Sequence, residues 1–442
     1  MYDIMPILRL GQKCSYRTRT ALLFCVVILI ALVVYSFLPR NHSKDIAFSV
    51  EYQLLQYNRT ISLPSFLATK RQLCPIVISS TLNEAFADTL ANFSRVEERP
   101  WKLDTNQGCQ AFKKIAGEEP MISQEELEFP LAFSFNIHTG FAQFARLLRA
   151  VFRKHNAYCL HIDEKSEATF RNEVKTMAQC MGPNVYVIPK QQSYSINWGD
   201  FGTIEAWILC AKHFLQLSSV RWKYMLNGSG QEFPLRTNWE LVKALKALNG
   251  SNIIESDYPN TGKPRAPRMQ LSFNLTWFKG SVYTALRRDM VQFALTNKNA
   301  TEIVNAIRTH GNARRLQDEI FFPTLAYNPQ LNAPGGCLEV NRPTESDPRS
   351  MFVGRFAHWY GPCLSKYARH AVCIMGVRNI PNLIRRQEFF VNKFIYDFQP
   401  LAYDCLEWWL FTKISHEREF GQTVIDFDPS FYSKLYCSVN HL

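Results

Sequence analysis

The sequence predicts an α/β fold in which a mostly parallel sheet is covered by helices on both faces. Strand-like and helix-like segments alternate repeatedly between residues 132 and 255, and the connections between them are short. Such alternation is typical of parallel sheets, because each helix returns the chain to the edge where the next strand begins. The chain has 442 residues, of which 47% are hydrophobic, so it can bury the large core that this fold requires.

The first strand-helix-strand unit spans residues 132–163. Phe133, Phe135 and Ile137 alternate with smaller or polar residues, as expected for a strand. A buried helix face is predicted from apolar residues at three- and four-residue spacing, namely Phe141, Phe144, Leu147, Leu148, Val151 and Phe152. The second strand ends at Asp163, and open α/β sheets bind ligands at the carboxyl ends of their strands. Asp163 is therefore a candidate for nucleotide binding; alternatively, Asp163 and Ser166 cap the helix that follows.

The later elements continue this alternation. Helices are predicted at 167–181, 203–217 and 238–248, and each precedes a strand, at 185–189, 224–227 and 253–255. Beyond residue 255 the pattern is less regular and predicts helices at 283–297, 300–309, 381–387 and 403–414. A periodic segment at 82–93 predicts one further helix before the first unit.

The N-terminal segment predicts a membrane anchor. Four basic residues precede an uncharged segment, 21–38, whose length is close to the ~20 residues of a bilayer-spanning helix. No small-x-small cleavage site follows, and positive charge before the span keeps the N-terminus in the cytosol. We therefore expect a cytoplasmic tail (1–20), a transmembrane signal anchor (21–38), a stem that merges into the fold (39–130) and a lumenal domain (131–442).

Cysteines and glycosylation sequons agree with a lumenal body. Ten of the 12 cysteines follow the predicted span without a C-x-x-C pair of zinc spacing, so disulfides are favoured over metal binding, with buried free thiols as the alternative. Candidate glycosylation sites are Asn58, Asn92, Asn249, Asn274 and Asn299. The formal charge is +12, but Lys and Arg are scattered and the topology excludes nucleic acid as a partner. Attraction to polyphosphate, acidic glycans or anionic lipid remains open.

One acid and several cations are candidates for chemistry. Glu319 directly precedes the apolar run 320–323, and desolvation there raises a carboxyl pKa, as suits a general base. The alternative is a helix acid paired with Arg314 or Arg315. Cations near apolar runs, suited to a diphosphate, are Arg369, His370, Arg385, Arg386 and Lys393.

A metal site and an aromatic pair are the remaining candidates. Asp426 and Asp428 have the Asp-x-Asp spelling of a metal site, but they lie far outside the alternating region, so we expect no metal. Trp359 and Tyr360 form an aromatic pair that either stacks on a sugar or packs under a loop.

From Cys74 to Cys437 the chain resembles the core-2/I-branching β-1,6-N-acetylglucosaminyltransferases, most densely between residues 132 and 255. The matching stretches are Phe135-Asn136-Ile137-His138, Arg146 to Ala150, Tyr158 to Ser166, Trp222-Lys223-Tyr224, Gly230 to Leu235, Leu241 to Gly250, and Phe390 to Phe394. Their order and spacing together make the resemblance specific. Among the departures, Leu316-Gln317 replaces a Ser-Pro before the acidic pair, and Glu232 stands where relatives have Asp.

The resemblance implies a GT-A-like fold and a type II Golgi membrane protein. It also implies an inverting transfer of GlcNAc from UDP-GlcNAc to a glycan hydroxyl, forming a β-1,6 branch on O-glycans. No metal or other cofactor is expected, because basic side chains hold the diphosphate. Peptide O-xylosyltransferases share the wider family, so xylose transfer is one alternative, and an inactive lumenal glycan-binding protein is another. A homo-oligomer is left open.

Site residues follow from the resemblance position by position. The family's Asp-Glu pair falls on Asp318-Glu319, which implies that Glu319 deprotonates the C6 hydroxyl of the acceptor. Lys393 matches the phosphate-binding lysine. Ungapped alignment places His370 at the phosphate-binding arginine, and we choose the adjacent Arg369. The remaining implied contacts are Asp163 on the uridine side and Glu255, Lys263, Arg265, Trp359 and Tyr360 at the acceptor.

The family's disulfide pattern also carries over. It implies the pairs Cys74 with Cys405, Cys109 with Cys180, Cys159 with Cys210, and Cys363 with Cys373. Cys337 and Cys437 are left over as a candidate fifth bridge.

Overall fold

The computed structural model describes residues 70–79, 84–92, 109–110, 112, 121–310, 316–338, 347–359, 361–424 and 426–442. The predicted cytoplasmic tail, the predicted anchor and Asn58 lie outside these residues, and so does most of the predicted stem. Within the described ranges, no helix is both long and apolar enough to cross a bilayer. The described residues belong to one structural unit that runs from Thr69 to Leu442.

The described residues form eleven strands and fourteen α-helices. The strands are β1 (Leu131–Ile137), β2 (Ala157–Ile162), β3 (Val185–Val187), β4 (Tyr224–Ser229), β5 (Glu232–Pro234), β6 (Ile253–Ile254), β7 (Thr284–Arg287), β8 (Arg355–Ala357), β9 (Ala368–Arg369), β10 (Val372–Cys373) and β11 (Phe390–Asn392). The helices are α1 (Lys70–Ile78), α2 (Glu84–Ala91), α3 (Gln124–Glu128), α4 (Phe141–Val151), α5 (Ala168–Met181), α6 (Gly202–Gln216), α7 (Asn238–Ala247), α8 (Arg288–Thr296), α9 (Lys298–His310), α10 (Phe321–Ala326), α11 (Ile380–Leu383), α12 (Pro400–Phe420), α13 (Ser430–Ser433) and α14 (Tyr436–Val439).

A six-stranded sheet with the order β3-β2-β1-β4-β7-β6 forms the centre of the molecule. Strands β3, β2, β1 and β4 are parallel, and only β7 runs against its neighbours. In the register of the central strands, Ala132 lies opposite Ala157 on one side and Met225 on the other. The prediction of a mostly parallel sheet flanked by helices is confirmed.

The core lies on both faces of this sheet because successive side chains of a strand point in opposite directions. Phe133 packs with α4 and α7 on one face, while Ala132 packs with Trp207 of α6 on the other. Burying one large apolar side chain stabilises the fold by about 1.5–3 kcal/mol. The start of α7 is fixed by a capping box, in which Thr237 and Glu240 each accept a hydrogen bond from the other's backbone amide.

The prediction of a helix from residue 283 was wrong in its first turn. Thr284 to Arg287 form β7, whose backbone pairs with β4 and β6, and the helix begins only at Arg288. Ala285 and Leu286 are both fully buried on opposite faces of the sheet, a burial that one face of a surface helix could not give them. Helix α11 is shorter than predicted and α12 is longer, extending to Phe420.

Two small sheets were not predicted. One has the order β5-β11-β8 and lies beside the carboxyl end of β4; the other is the hairpin of β9 and β10. The structure contains all four implied disulfides together with Cys337–Cys437. Each bridge contributes ~2–4 kcal/mol by restricting the unfolded chain.

Candidate active site

One edge of the central sheet collects the predicted donor and acceptor residues. Because β1, β2, β4 and β6 run in the same direction, the residues that follow them meet at this edge. His138 follows β1, Asp163 follows β2 and Glu255 follows β6. The chain order of the elements thus places a uridine-side candidate and an acceptor candidate on the same side of the sheet.

Asp163 is buried and forms hydrogen bonds with two loops. Its carboxylate accepts hydrogen bonds from the backbone amides of Lys165 (2.8 Å) and Ile196 (3.0 Å). The Nη2 atom of Arg171 donates to its carbonyl oxygen at 2.8 Å. Helix α5 has Glu167 as its N-cap, with no side-chain cap, so the capping alternative for Asp163 is wrong. Asp163 instead fixes the loop that borders the sheet edge.

Lys393 and Arg369 form a cationic pair beside Asp163. Lys393 is half-buried after β11, and its pKa is lowered by burial and by the neighbouring Arg369. The pKa of His138 is lowered by desolvation, with Lys393 and Arg369 acting in the same direction and Asp163 in the opposite one. The charges of these three groups and of Lys165 therefore all act on His138. No carboxylate within the described ranges forms an ion pair with Lys393 or Arg369.

The hairpin of β9 and β10 distinguishes Arg369 from His370. Arg369 is exposed on β9 and pairs with Val372 across the hairpin, whereas His370 occupies the turn with φ 52°. The imidazole of His370 lies 6.0 Å from the ring of Trp198, measured between centroids. Cys363–Cys373 closes the loop that carries this hairpin. Arg369 is thus a hairpin residue whose charge lowers the pKa of Lys393.

Glu319 ends a single 3₁₀ turn, Gln317–Glu319, and forms an ion pair with Arg265. The same Arg265 Nη1 donates to the carbonyl oxygen of Leu316 at 3.4 Å, and Gln317 Nε2 donates to the carbonyl oxygen of Arg265 at 3.3 Å. Glu319 retains 23% side-chain exposure. The alternative partners Arg314 and Arg315 lie outside the described residues. Arg265 therefore holds both the turn and the carboxylate.

We predicted that the carboxylate of Glu319 is buried, but the buried carboxylate is that of Asp318. Asp318 is 8% exposed, and burial, followed by the charge of Glu319, raises its pKa to about 7. Its Oδ1 atom is buried and accepts no hydrogen bond from any described residue. In this 3₁₀ turn the first acid points into the protein and the second points toward Arg265. The prediction placed the buried carboxylate at Glu319, whereas the structure places it at Asp318.

Gly199 packs directly against Leu316, the residue that precedes this turn. Leu316 adopts φ 52°, a left-handed conformation, and its side chain covers Gly199 so closely that a Cβ there would overlap it. The Gln317 amide donates to the carbonyl oxygen of Gly199 at 3.1 Å. The glycine and the left-handed residue together present Glu319 at the surface.

Glu255 and Glu319 adjoin through Gly280. The Gly280 amide donates to the carbonyl oxygen of Glu319 at 2.9 Å, and a Cβ on Gly280 would overlap the carbonyl oxygen of Glu255. Lys263 is exposed on the same 3₁₀ turn as Arg265. The structure thus brings Glu255, Lys263 and Arg265 to the side of the site that holds Glu319.

Trp359 lies elsewhere on the rim. It follows β8, its side chain is 45% exposed, and the adjacent His358 carbonyl accepts from the Cys373 amide at 2.9 Å. This bond places Trp359 beside the disulfide-closed loop of Arg369. Its exposure excludes the alternative of an aromatic packed under a loop. Tyr360 lies outside the described residues.

A buried ion pair and a hydrogen bond, which were not predicted from the sequence, lie next to the strand that carries Lys393. Glu232 is fully buried and forms an ion pair with Arg355, whose guanidinium carbon lies 3.7 Å from the ring centroid of Tyr283. Burial raises the pKa of Glu232, while Arg355 acts in the opposite direction. Asn392, directly before Lys393, donates to Ser229 Oγ at 3.5 Å. Glu232 belongs to the matching stretch 230–235, but no sequence signal indicated Arg355.

The remaining candidates have separate positions. Asn92, Asn249 and Asn274 are exposed, and Asn299 is half-buried in α9. Asp428 accepts hydrogen bonds from the amide and hydroxyl of Ser430, the first residue of α13, at 2.8 and 2.7 Å. No cluster of three or more His, Cys, Asp or Glu side chains in the described part of the chain is arranged to hold a metal ion.

Comparison with known proteins assigns the family. A family model described as "Core-2/I-Branching enzyme" matches residues 131–384. The chain is 33% identical over 332 residues to a mouse "N-acetyllactosaminide beta-1,6-N-acetylglucosaminyl-transferase", covering 70% of this chain and 79% of that one. It is 31% identical over 350 residues to a human "Beta-1,3-galactosyl-O-glycosyl-glycoprotein beta-1,6-N-acetylglucosaminyltransferase 3", covering 72% and 76%. A similar protein of Bovine herpesvirus 4 is 30% identical over 364 residues, covering 75% and 80%.

These comparisons identify the class of protein. The chain belongs to the Core-2/I-branching enzyme family. It is a glycosyltransferase of the N-acetylglucosaminyltransferase class. The resemblance read from the sequence is confirmed.

Proposed function

We propose that the enzyme transfers GlcNAc from UDP-GlcNAc to the C6 hydroxyl of a glycan with inversion, forming a β-1,6 branch. The observation that carries this proposal is the division of one sheet edge between an oriented carboxylate, Glu319, and two cations, Arg369 and Lys393, that form no ion pair with a carboxylate of the described ranges. The printed names of the relatives above support the transferred sugar and the linkage. A parallel sheet with ligand residues at its carboxyl edge supports a GT-A-like fold.

In the proposed reaction Glu319 takes the proton of the acceptor C6 hydroxyl. The oxygen attacks the anomeric carbon of GlcNAc as the bond from that carbon to the phosphate oxygen breaks, and UDP leaves with the bonding electrons. A single displacement of this kind inverts the configuration. Arg265 orients the Glu319 carboxylate through their ion pair before the proton is transferred. A positioned base contributes about 10²- to 10⁴-fold to the rate.

Arg369 and Lys393 are assigned to the diphosphate, where negative charge increases as UDP departs. Fixed cations at such a position stabilise the transition state, because they need no reorganisation when the charge develops. Asp163, held by two backbone amides, is assigned to the uridine side. The proposal thus gives these side chains the role that a metal ion performs in other sugar-nucleotide enzymes, and it names no cofactor.

Acceptor binding is assigned to Glu255, Lys263, Trp359 and Tyr360. Two of the relatives are named for acceptors that contain galactose, an N-acetyllactosaminide and a β-1,3-galactosyl O-glycan. We propose an O-glycan of this kind as the acceptor, with a poly-lactosamine chain as the alternative. Arg265 is reassigned from acceptor contact to the support of Glu319.

We infer a single-pass type II protein of the Golgi membrane with a lumenal catalytic domain. The uncharged segment 21–38 and the basic residues before it support the topology. Five disulfides support the compartment, because such bonds persist in the oxidising secretory pathway and are rare in the cytosol.

The test is a transfer assay with the full-length protein in detergent and a panel of galactose-containing acceptors. UDP-GlcNAc and UDP-xylose are offered separately in the presence of EDTA. We expect GlcNAc to be transferred, with a β-1,6 linkage in the product. Transfer of xylose in place of GlcNAc would contradict the proposal. Glycan binding without turnover of either donor would contradict it as well.

A further inference from the structure

Exposed aromatic side chains are concentrated around the candidate site. Within the described ranges, the aromatic residues that are more than a third exposed are Tyr194, Trp198, Tyr258, Trp359, Tyr367 and Phe420. All of them except Phe420, at the end of α12, lie on loops that carry or contact residues assigned above. A single exposed aromatic residue is ordinary, but a concentration around one site indicates a ligand with apolar faces. Trp198 is the most exposed of this set, at 65%, and has no role in the assignments above.

The residues before Trp198 are bonded to the loop of Asp163. The Ile196 amide donates to the Asp163 carboxylate at 3.0 Å. Lys165 Nζ donates to the carbonyl oxygen of Ile196 at 2.7 Å and to Asn197 Oδ1 at 3.1 Å. These bonds hold Trp198 next to the uridine side of the proposed donor site.

The residue after Trp198 contacts the turn that carries Glu319. The carbonyl oxygen of Gly199 accepts a hydrogen bond from the Gln317 amide at 3.1 Å, and the Leu316 side chain packs on Gly199. Gly199 has φ 76°, a conformation that residues with a Cβ rarely adopt. Trp198 is therefore held between the turn of the proposed base and the uridine-side loop.

A third segment of the site borders the indole ring itself. The ring centroids of Trp198 and His370 are 6.0 Å apart, and the planes of the two rings are inclined by 40°. His370 directly follows Arg369, one of the two cations assigned to the diphosphate, on the loop closed by Cys363–Cys373. Because Trp198 keeps most of its surface exposed beside this imidazole, the ring is accessible to a ligand.

The proposed reaction places the transferred sugar among these three segments. The anomeric carbon of this sugar is bonded to the diphosphate assigned to Arg369 and Lys393, and it is attacked by the oxygen that Glu319 deprotonates. The sugar must therefore lie between these cations and the base, which is where Trp198 is held. The faces of a sugar ring carry C–H groups, and packing them on an aromatic ring removes apolar surface from water.

We propose that Trp198 packs against the transferred sugar of the donor. The inference rests on the proposed function, because Arg369 and Glu319 define where that sugar lies. It adds a donor contact that recognises the sugar and not the nucleotide, so its contribution to binding is absent when UDP binds alone.

The test compares the binding of UDP and of UDP-GlcNAc to the full-length protein in detergent, by isothermal titration. Trp198→Ala should weaken UDP-GlcNAc binding roughly 3- to 30-fold and leave UDP binding unchanged, because only UDP-GlcNAc carries the sugar. Trp198→Phe keeps an aromatic face and should retain part of the affinity. Phe420→Ala removes a similarly exposed aromatic side chain outside the site, so this control should change neither affinity. All three variants should melt close to the wild-type temperature, because the side chains that they change are exposed.

Two results would overturn the inference while leaving the proposed function intact. In the first, Trp198→Ala binds UDP-GlcNAc as tightly as the wild type; in the second, it loses affinity for UDP and UDP-GlcNAc by the same factor. If the wild type transfers xylose and not GlcNAc, the proposed function fails, and the same comparison of UDP-xylose with UDP then decides the role of Trp198. A wild type that binds neither sugar nucleotide would overturn both.

Discussion

The proposed donor side and the proposed acceptor side of the site differ in whether their cations form ion pairs. On the donor side, Arg369 and Lys393 lie near each other, and no carboxylate in the described ranges forms an ion pair with either of them. On the acceptor side, Arg265 pairs with Glu319 and Lys279 pairs with Asp257. Two neighbouring cations without an ion pair to a described carboxylate thus lie where a diphosphate is proposed to bind, whereas the arginine beside Glu319 is paired.

The contrast matches what each half is proposed to bind. A diphosphate is an anion, and uncompensated cations attract it and neutralise its charge as it leaves. An acceptor sugar is neutral, and its half of the site needs an oriented base without excess charge. Lys393 is half-buried, so its interaction with an anion is less screened than that of a surface lysine.

Replacing Glu319 should have the largest effect. Glu319→Gln keeps the shape of the side chain but removes the proton acceptor, so kcat should fall about 10²- to 10⁴-fold while UDP-GlcNAc affinity is retained. Steady-state transfer rates and a donor titration measure the two quantities, with the exposed Glu419→Gln as the control. A variant that retains more than half of the wild-type kcat would exclude Glu319 as the base.

Removing a donor-side cation should have the next largest effect. Lys393→Met keeps the aliphatic stem and deletes one charge-assisted hydrogen bond, so affinity for UDP-GlcNAc should fall roughly 10- to 150-fold. Arg369→Met should act in the same direction. Isothermal titration with UDP-GlcNAc measures the loss, and the exposed Lys366→Met on the same disulfide-closed loop is the matched control. Equal losses in Lys366→Met and Arg369→Met would show that the contribution is diffuse.

Arg265→Met should have a smaller effect. This variant distinguishes two roles for Arg265, orientation of Glu319 and contact with the acceptor. If Arg265 orients Glu319, kcat should fall about tenfold with little change in the acceptor KM, because one charge-assisted hydrogen bond to the base is lost. A rise in acceptor KM at unchanged kcat would instead restore Arg265 to acceptor binding. Lys263→Met, on the same turn, is the comparison that should raise acceptor KM.

Asp318→Asn should change stability and its pH dependence. Burial raises the pKa of Asp318 from 3.8 to about 7, so the folded state binds this proton more tightly than the unfolded chain does. The free energy of unfolding of the wild type should therefore fall as pH rises from about 4 to about 7 and then level off. The variant lacks this loss and should be more stable than the wild type at pH 8, by about 2–4 kcal/mol, with no such gain near pH 4.

Denaturant unfolding of both proteins at pH 4, 6 and 8 measures this difference. The exposed Asp397→Asn is the control and should show the same difference from the wild type at every pH. A stability difference for Asp318→Asn that does not depend on pH would contradict the buried protonated state.

The parallel half of the fold was predictable, and the antiparallel part was not. Strands β1, β2 and β4 are buried on both faces, so their apolar runs stand out from the helices between them. Strand β7 runs directly into α8 without a Gly or Pro between them, and its four residues merge with the periodicity of the helix. Only pairing with β4 and β6 makes this segment a strand.

Prediction from local sequence was limited in the same way at the candidate site. Glu319 and Lys393 were named because their local motifs match a family, but Arg265 is 54 residues from Glu319 in the chain, and no local pattern joins them. Nor can sequence decide which of two adjacent acids turns inward, because that choice depends on the left-handed residue Leu316 and its contact with Gly199. Long-range pairs and turn geometry are what the structure adds.

The most direct test of the charge division is a titration of UDP-GlcNAc into the full-length enzyme, once in EDTA and once in Mn²⁺, for the wild type and Lys393→Met. We predict equal wild-type affinity in the two buffers and a loss in the variant that Mn²⁺ does not repair. Donor binding only in the presence of Mn²⁺, or undiminished binding by Lys393→Met in EDTA, would contradict the account.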